Sequence, residues 1–141
     1  MTSVPTPAPK KKVNWFWPTI TDLDTALEAA KGTMIAGFLV AGITLAFVII
    51  AMVQQGAATM VTPWAIIDVV LFAAIAIGGK MHLRAAGIAG PVLFALEKIY
   101  SFTQGAVPGG GGIVFAALIF VVFITGCRGI FAVHRFRGAK A

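Results

Sequence analysis

The sequence predicts an all-α integral membrane protein, with four transmembrane helices arranged as two hairpins and a short N-terminal interfacial helix. Three observations carry that expectation. Apolar residues make up 59% of the 141-residue chain and charged residues only 11%, where a soluble domain has about a quarter charged. Four apolar stretches, about 32–53, 63–79, 85–102 and 113–130, have the length a helix needs to cross hydrocarbon. Ten of the eleven Lys and Arg residues also gather in three places. Lys10, Lys11, Lys12 and Lys31 precede the first stretch, Lys80 and Arg84 separate the second from the third, and Arg128, Arg135, Arg137 and Lys140 follow the last. The connections 54–62 and 103–112 contain no ionisable side chain. Cationic loops stay on the cytoplasmic side, so the alternation predicts cytoplasmic N and C termini.

Residues 1–31 read as a cytoplasmic tail and an interfacial helix. Pro5, Pro7 and Pro9 favour an extended tail, and Lys10–Lys12 forms a juxtamembrane charge cluster. Trp15 and Trp17, with Trp64 near the far interface, are expected as anchors, since an indole ring is apolar while its N–H stays wet. Thr21–Lys31 predicts a helix lying in the membrane plane or leading into the first span. Thr21 and Asp24 have capping-box spacing, and Ile20, Leu23, Leu27 and Ala30 give one apolar side.

Residues 32–130 form the expected membrane domain, followed by a basic cytoplasmic tail over 131–141. In the first span, Gly32/Ala36, Gly37/Ala41 and Gly42/Ala46 place small residues four apart, which lets helices approach closely in lipid. The second span opens with Pro63, suited to a first helical turn, and is short enough to need Lys80–Met81 or local thinning. The third carries the close-packing pair Ala86/Gly90 and a kink expected at Pro91. Lys80–Arg84 is a tight link that makes an antiparallel hairpin. Pro108 and the glycines at 109–112 predict a flexible outer loop, and no Lys-Ser/Thr follows to make it a phosphate loop.

Several functions are excluded by what the chain carries. The net charge of +6 lies at span ends rather than along a groove, which fits anionic lipid headgroups and not nucleic acid. Cys127 is the single cysteine, so no intramolecular disulfide or Cys-based metal cluster forms. A cleavable signal peptide is not expected, because Val13–Pro18 and an acidic segment follow the basic run. His82 and His134 fall at span ends, not at a span's centre where a cofactor ring would stand. No catalytic constellation, metal site or cofactor is expected.

Two groups of residues stand out as candidate sites. Asp68, Glu97 and Lys98 fall at one level in the outer leaflet, about 7–8 Å below the span ends. Ionisable residues inside spans are functional pointers, and pairing Asp68 with Lys98 would offset part of their cost. Glu97 is then either a surplus carboxylate for protons or cations or an interfacial group that reaches out of the membrane. The second group closes the fourth span. Arg128 near the inner interface can reach phosphates or the helix's last carbonyls, and Gly126 and Gly129 allow a neighbour to come close. Gly126, Arg128, Gly129 and His134 are thus candidate contacts for a partner or lipid.

The run Phe123-Ile124-Thr125-Gly126-Cys127-Arg128-Gly129-Ile130-Phe131-Ala132-Val133-His134 resembles a C-terminal signature of small, uncharacterised four-span bacterial membrane proteins. That signature reads Phe-Ile-Asn-Gly-x-Arg-Gly-x-Phe-x-Tyr-His, so Thr125 and Val133 stand where it has Asn and Tyr. The resemblance implies a multi-pass protein of the bacterial cytoplasmic (inner) membrane and supplies no activity. The function expected is a non-enzymatic accessory or assembly subunit whose partners are the bilayer and other membrane subunits or further copies of itself. The alternative is a small homo-oligomeric channel or transporter using Asp68, Glu97 and Lys98.

Overall fold

A computed structural model describes residues 16–55, 63–105 and 109–139, together with Thr6 and Asn14. Among these residues there are four helices and no strand: α1 (Leu23–Gln55), α2 (Pro63–Lys80), α3 (Arg84–Thr103) and α4 (Gly110–Gly138). Helices α1, α3 and α4 are long and apolar enough to cross a membrane.

The N-terminal boundary differs from the sequence expectation. No break separates residues 21–31 from the first apolar stretch, and α1 runs through both as one helix of 33 residues. Its cap is Asp22 with Thr25, one position along from the expected Thr21 and Asp24. Asp22 Oδ1 accepts the Thr25 N–H at 2.8 Å, and Thr25 Oγ1 accepts the Asp22 N–H at 3.1 Å. These bonds satisfy both ends of a capping box and hold the Asp22 carboxyl below its usual range. The fourth helix is also longer than expected. It takes in Gly110–Gly112 at its start, and residues 131–138 continue the helix instead of forming a tail. Each glycine costs about 1 kcal/mol of helix propensity. The apolar run Ile113–Val122 that follows offsets this by keeping its backbone hydrogen-bonded.

At 33 and 29 residues, α1 and α4 span about 50 and 44 Å at 1.5 Å per residue, well beyond a hydrocarbon core of about 30 Å. The surplus lengths pack on each other at one end of the bundle. There Ala26 and Ala30 of α1 meet Ile130 and Val133 of α4, all fully buried, with Leu23, Leu27 and Phe136 around them. The α1–α4 crossing is backbone on backbone. A Cβ on Gly32 would come within 2.8 Å of the Val122 carbonyl, while one on Gly126 would overlap Thr33 and one on Gly129 would overlap Ala30. Thr33 Oγ1 is buried at this crossing without a hydrogen-bond partner.

Toward the other end the centre is filled by aromatic rings. Phe72 of α2, Phe94 of α3 and Phe123 of α4 have ring centroids 5.7–6.5 Å apart, within the range of favourable aromatic pairs. Ala36, Val40, Ala41, Ile75 and Ile119 complete that core. Phe123 fits because Gly90 leaves room for it, with ring carbons 2.7 Å from where a Cβ would stand. Gly37 lies equally close to Ala76 of α2, and Ala86 to Gly78. Gly42 faces open space, so the Gly42/Ala46 pair takes no part in this packing. Around the core, Phe38, Phe47, Ile66, Val70, Ile99 and Val114 remain exposed, giving the apolar outer surface that lipid requires.

Pro91 lies inside α3, which continues through it. Between α2 and α3 the chain turns in Met81–Leu83. Leu83 N–H donates to the Gly78 carbonyl at 2.9 Å and His82 N–H to the Gly79 carbonyl at 3.0 Å. This is a Schellman ending with His82 in the left-handed position (φ 56) that glycine usually fills.

Candidate functional site

The run at the end of α4 is engaged by the chain's own elements, residue by residue. Phe123 enters the aromatic core, and Thr125 Oγ1 donates to the Phe16 carbonyl at 2.9 Å. Gly126 and Gly129 receive α1, as described above. Arg128 places its guanidinium carbon 4.2 Å from the centre of the Trp17 ring, a cation–π stack. His134 bonds through Nε2 to the His82 carbonyl at 2.8 Å. A carbonyl only accepts, so that ring nitrogen carries the proton.

The result is a three-way clasp. Different sides of α4 fix the segment before α1, the start of α1 and the α2–α3 turn. Gly126, Gly129 and His134, expected to meet a partner or lipid, meet the chain itself, because their small size and ring N–H fit its backbone. Trp17 is 54% exposed, so its ring stacks on Arg128 with one side while the other stays outside. Trp15 and the Trp64 side chain lie outside the described residues.

Around the clasp lie Lys31, Lys80, Arg84, Arg128, Arg135 and Arg137. Lys80 closes α2, and Arg135 and Arg137 close α4, where cations complement the negative helix end. The His82 imidazole is held below its ordinary value of 6.5, chiefly by burial and then by the charges of Arg137 and His134.

The three expected intramembrane charges come together differently. Lys98 Nζ donates to Glu97 Oε1 at 3.2 Å and stands 5.1 Å from the centre of the Phe94 ring, one turn back on α3. The ammonium thus lies along its own helix, between the Glu97 carboxylate and the Phe94 ring. Among the described residues no hydrogen bond or ion pair is made to Asp68. Asp68 and Glu97 instead line one open groove between α2 and α3, with Leu71, Leu96 and Tyr100. Lys98 and Glu97 also border a second groove toward α1 and α4, at Thr44 and Phe115. All three charges therefore lie outside the Phe72–Phe94–Phe123 core.

Among the described residues no cluster of three His, Cys, Asp or Glu side chains could hold a metal. Sequence reasoning missed the role of Trp17 and Thr125 in the clasp. Its one signal was the paired occurrence of an aromatic before the first helix and a cation at the end of the last. Compared with known proteins, the chain matches no family model, no curated protein and no solved structure.

Proposed function

We propose that the protein is a non-enzymatic, four-span membrane protein, its helices paired as two hairpins, that serves as an accessory or assembly subunit of a larger membrane complex. Support for four spans comes from the two uncharged connections and the gathering of Lys31, Lys80, Arg84, Arg128, Arg135 and Arg137 at one end of the bundle. The positive-inside rule then places that end, with both termini, in the cytoplasm. The resemblance at 123–134 favours a bacterial cytoplasmic membrane.

The observation that carries the subunit reading is the outward placement of Asp68 beside Glu97. A carboxylate facing hydrocarbon is costly, and a helix from another protein that brings a cation or a hydroxyl to the α2–α3 groove removes that cost. The filled aromatic core supports the same reading, since it leaves the polar groups on the rim of the bundle.

Tagged protein purified in mild detergent is expected to migrate on native gels far above any small homo-oligomer and to carry other subunits. Asp68→Asn with Glu97→Gln should release those subunits while the isolated chain unfolds at an unchanged temperature. A homogeneous small oligomer that moves ions or protons in liposomes, and loses that activity with Asp68→Asn, transfers the assignment to the channel alternative.

A further inference from the structure

The basic end of the bundle holds a further groove, which shares only Arg128 with the clasp. It runs between the start of α3 and the last turns of α4, with a volume of ≈ 640 Å³, and is bordered by Arg84, Arg128 and Arg135 over the apolar side chains of Ile20, Phe131 and Phe136. That volume falls within the range of small-molecule sites, about 300–1,000 Å³. Arg128, Phe131 and Arg135 share a face of α4 at spacings of three and seven, so the helix itself sets the alternation of cation and apolar surface.

Charge in this groove is unbalanced. Among the described residues, none of the three arginines has an ion pair or hydrogen bond to a carboxylate. The neighbouring acids are committed elsewhere: Asp22 bonds Thr25, Glu28 bonds Lys31 at 3.0 Å, and Asp24 borders a different groove beside Lys80 and His82. Arg128 Nη1 is buried without an acceptor, so no protein group among the described residues balances this guanidinium, and the part of the side chain that borders the groove offers its charge to a phosphate. Three cations above an apolar floor, at the end of a membrane bundle, match a molecule with an anionic head and hydrocarbon chains.

We propose that this groove binds one anionic phospholipid, with its phosphodiester among Arg84, Arg128 and Arg135 and its acyl chains along Phe131 and Ile20. Guanidinium groups suit phosphate because their planar forks give paired, charge-assisted bonds. The apolar floor favours a lipid over a free anion, because inorganic phosphate leaves Ile20, Phe131 and Phe136 uncovered. The site requires a membrane but not a partner subunit, so it stands whether or not the protein joins a larger complex.

The test uses full-length protein in nanodiscs of phosphatidylcholine containing a minor share of phosphatidylglycerol, extracted into mild detergent and weighed by native mass spectrometry. One phosphatidylglycerol should stay bound per chain. Arg84→Gln with Arg135→Gln, both at exposed positions, should lower retention by roughly tenfold or more, the loss expected for two charge-assisted bonds. Lys80→Gln with Arg137→Gln removes the same charge from the same end outside the groove and should change retention by less than about twofold. Thermal unfolding of both variants is measured alongside, so that a folding defect is seen directly. Equal losses in the two variants would reduce the effect to general surface charge and overturn the site. Equal retention of phosphatidylcholine, or displacement of the lipid by millimolar inorganic phosphate, would overturn it as well.

Discussion

Gly126 meets Thr33 with no room between them: a Cβ on Gly126 would overlap both the backbone nitrogen and the hydroxyl of Thr33. The same holds for Gly129 against Ala30. Forced overpacking costs about 1–3 kcal/mol, and here the obstacle is backbone that cannot turn aside. Gly126→Ala or Gly129→Ala should therefore lower unfolding stability in detergent by about 2 kcal/mol or more. Gly42→Ala, facing open space, should be neutral or gain up to about 1 kcal/mol. Thr33→Val removes an unpartnered buried hydroxyl at constant shape and should be neutral or mildly stabilising.

The Arg128–Trp17 stack makes a measurable coupling. Trp17→Ala and Arg128→Gln should each free the segment before α1 and expose it to limited proteolysis. A double-mutant cycle should return an interaction of about 0.5–1 kcal/mol, the worth of a half-exposed cation–π pair. Coupling near zero would mean that the stack adds nothing to the Thr125 hydroxyl bond and the packing of Ile20 in holding the segment.

Acid should loosen the bundle through His82. Its pKa is lower folded than unfolded, so the unfolded chain binds the extra proton. Stability from this residue is thus constant above 6.5 and declines as pH falls below that value. His82→Gly keeps the carbonyl that His134 uses and should flatten that decline. It also relieves a left-handed backbone costing about 1–2 kcal/mol, less the extra chain entropy of about 0.5–1 kcal/mol that glycine carries. The net expectation at neutral pH is a small gain. Unfolding temperature measured against pH for both proteins checks both points.

Membrane orientation is open to labelling. With Cys127 replaced by alanine, a cysteine at Gly109 should react with an impermeant thiol reagent in intact cells. Cysteines at Met81 or Gly138 should react only after lysis. Labelling of Gly109 and Gly138 from the same side would remove the four-span reading.

The helices were legible in the sequence wherever apolar length alone decides, as in residues 32–53 and 113–130. Their ends were not. Thr21/Asp24 and Asp22/Thr25 both satisfy the capping spacing, and only the hydrogen bonds choose between them. Lys31 suggested a boundary before Gly32, yet the helix continues, with Gly32 held against Val122 and Gly126 of α4, 90 and 94 residues away in sequence. The candidate sites were partly legible for the same reason. Composition marked Arg128, Gly126 and Asp68 as unusual for their depth, but partners such as Trp17, Thr33 and Phe94 are assigned by the bundle. Lys98 illustrates the limit: its level in the span suggested Asp68 as its partner, and in the bundle its ammonium bonds Glu97, the neighbour on its own helix.

The broadest helix contact joins α1 to α4, the earliest and the latest of the four helices to leave the ribosome. Until Gly126 and Gly129 emerge, the face of α1 carrying Ala29, Ala30 and Gly32 lacks the α4 backbone it closes upon. The bundle thus cannot be completed stepwise from its first half. Its assembly waits on the second half of the final helix, and a chain truncated ahead of Gly126 would keep the α1–α2 contact while leaving this face of α1 open.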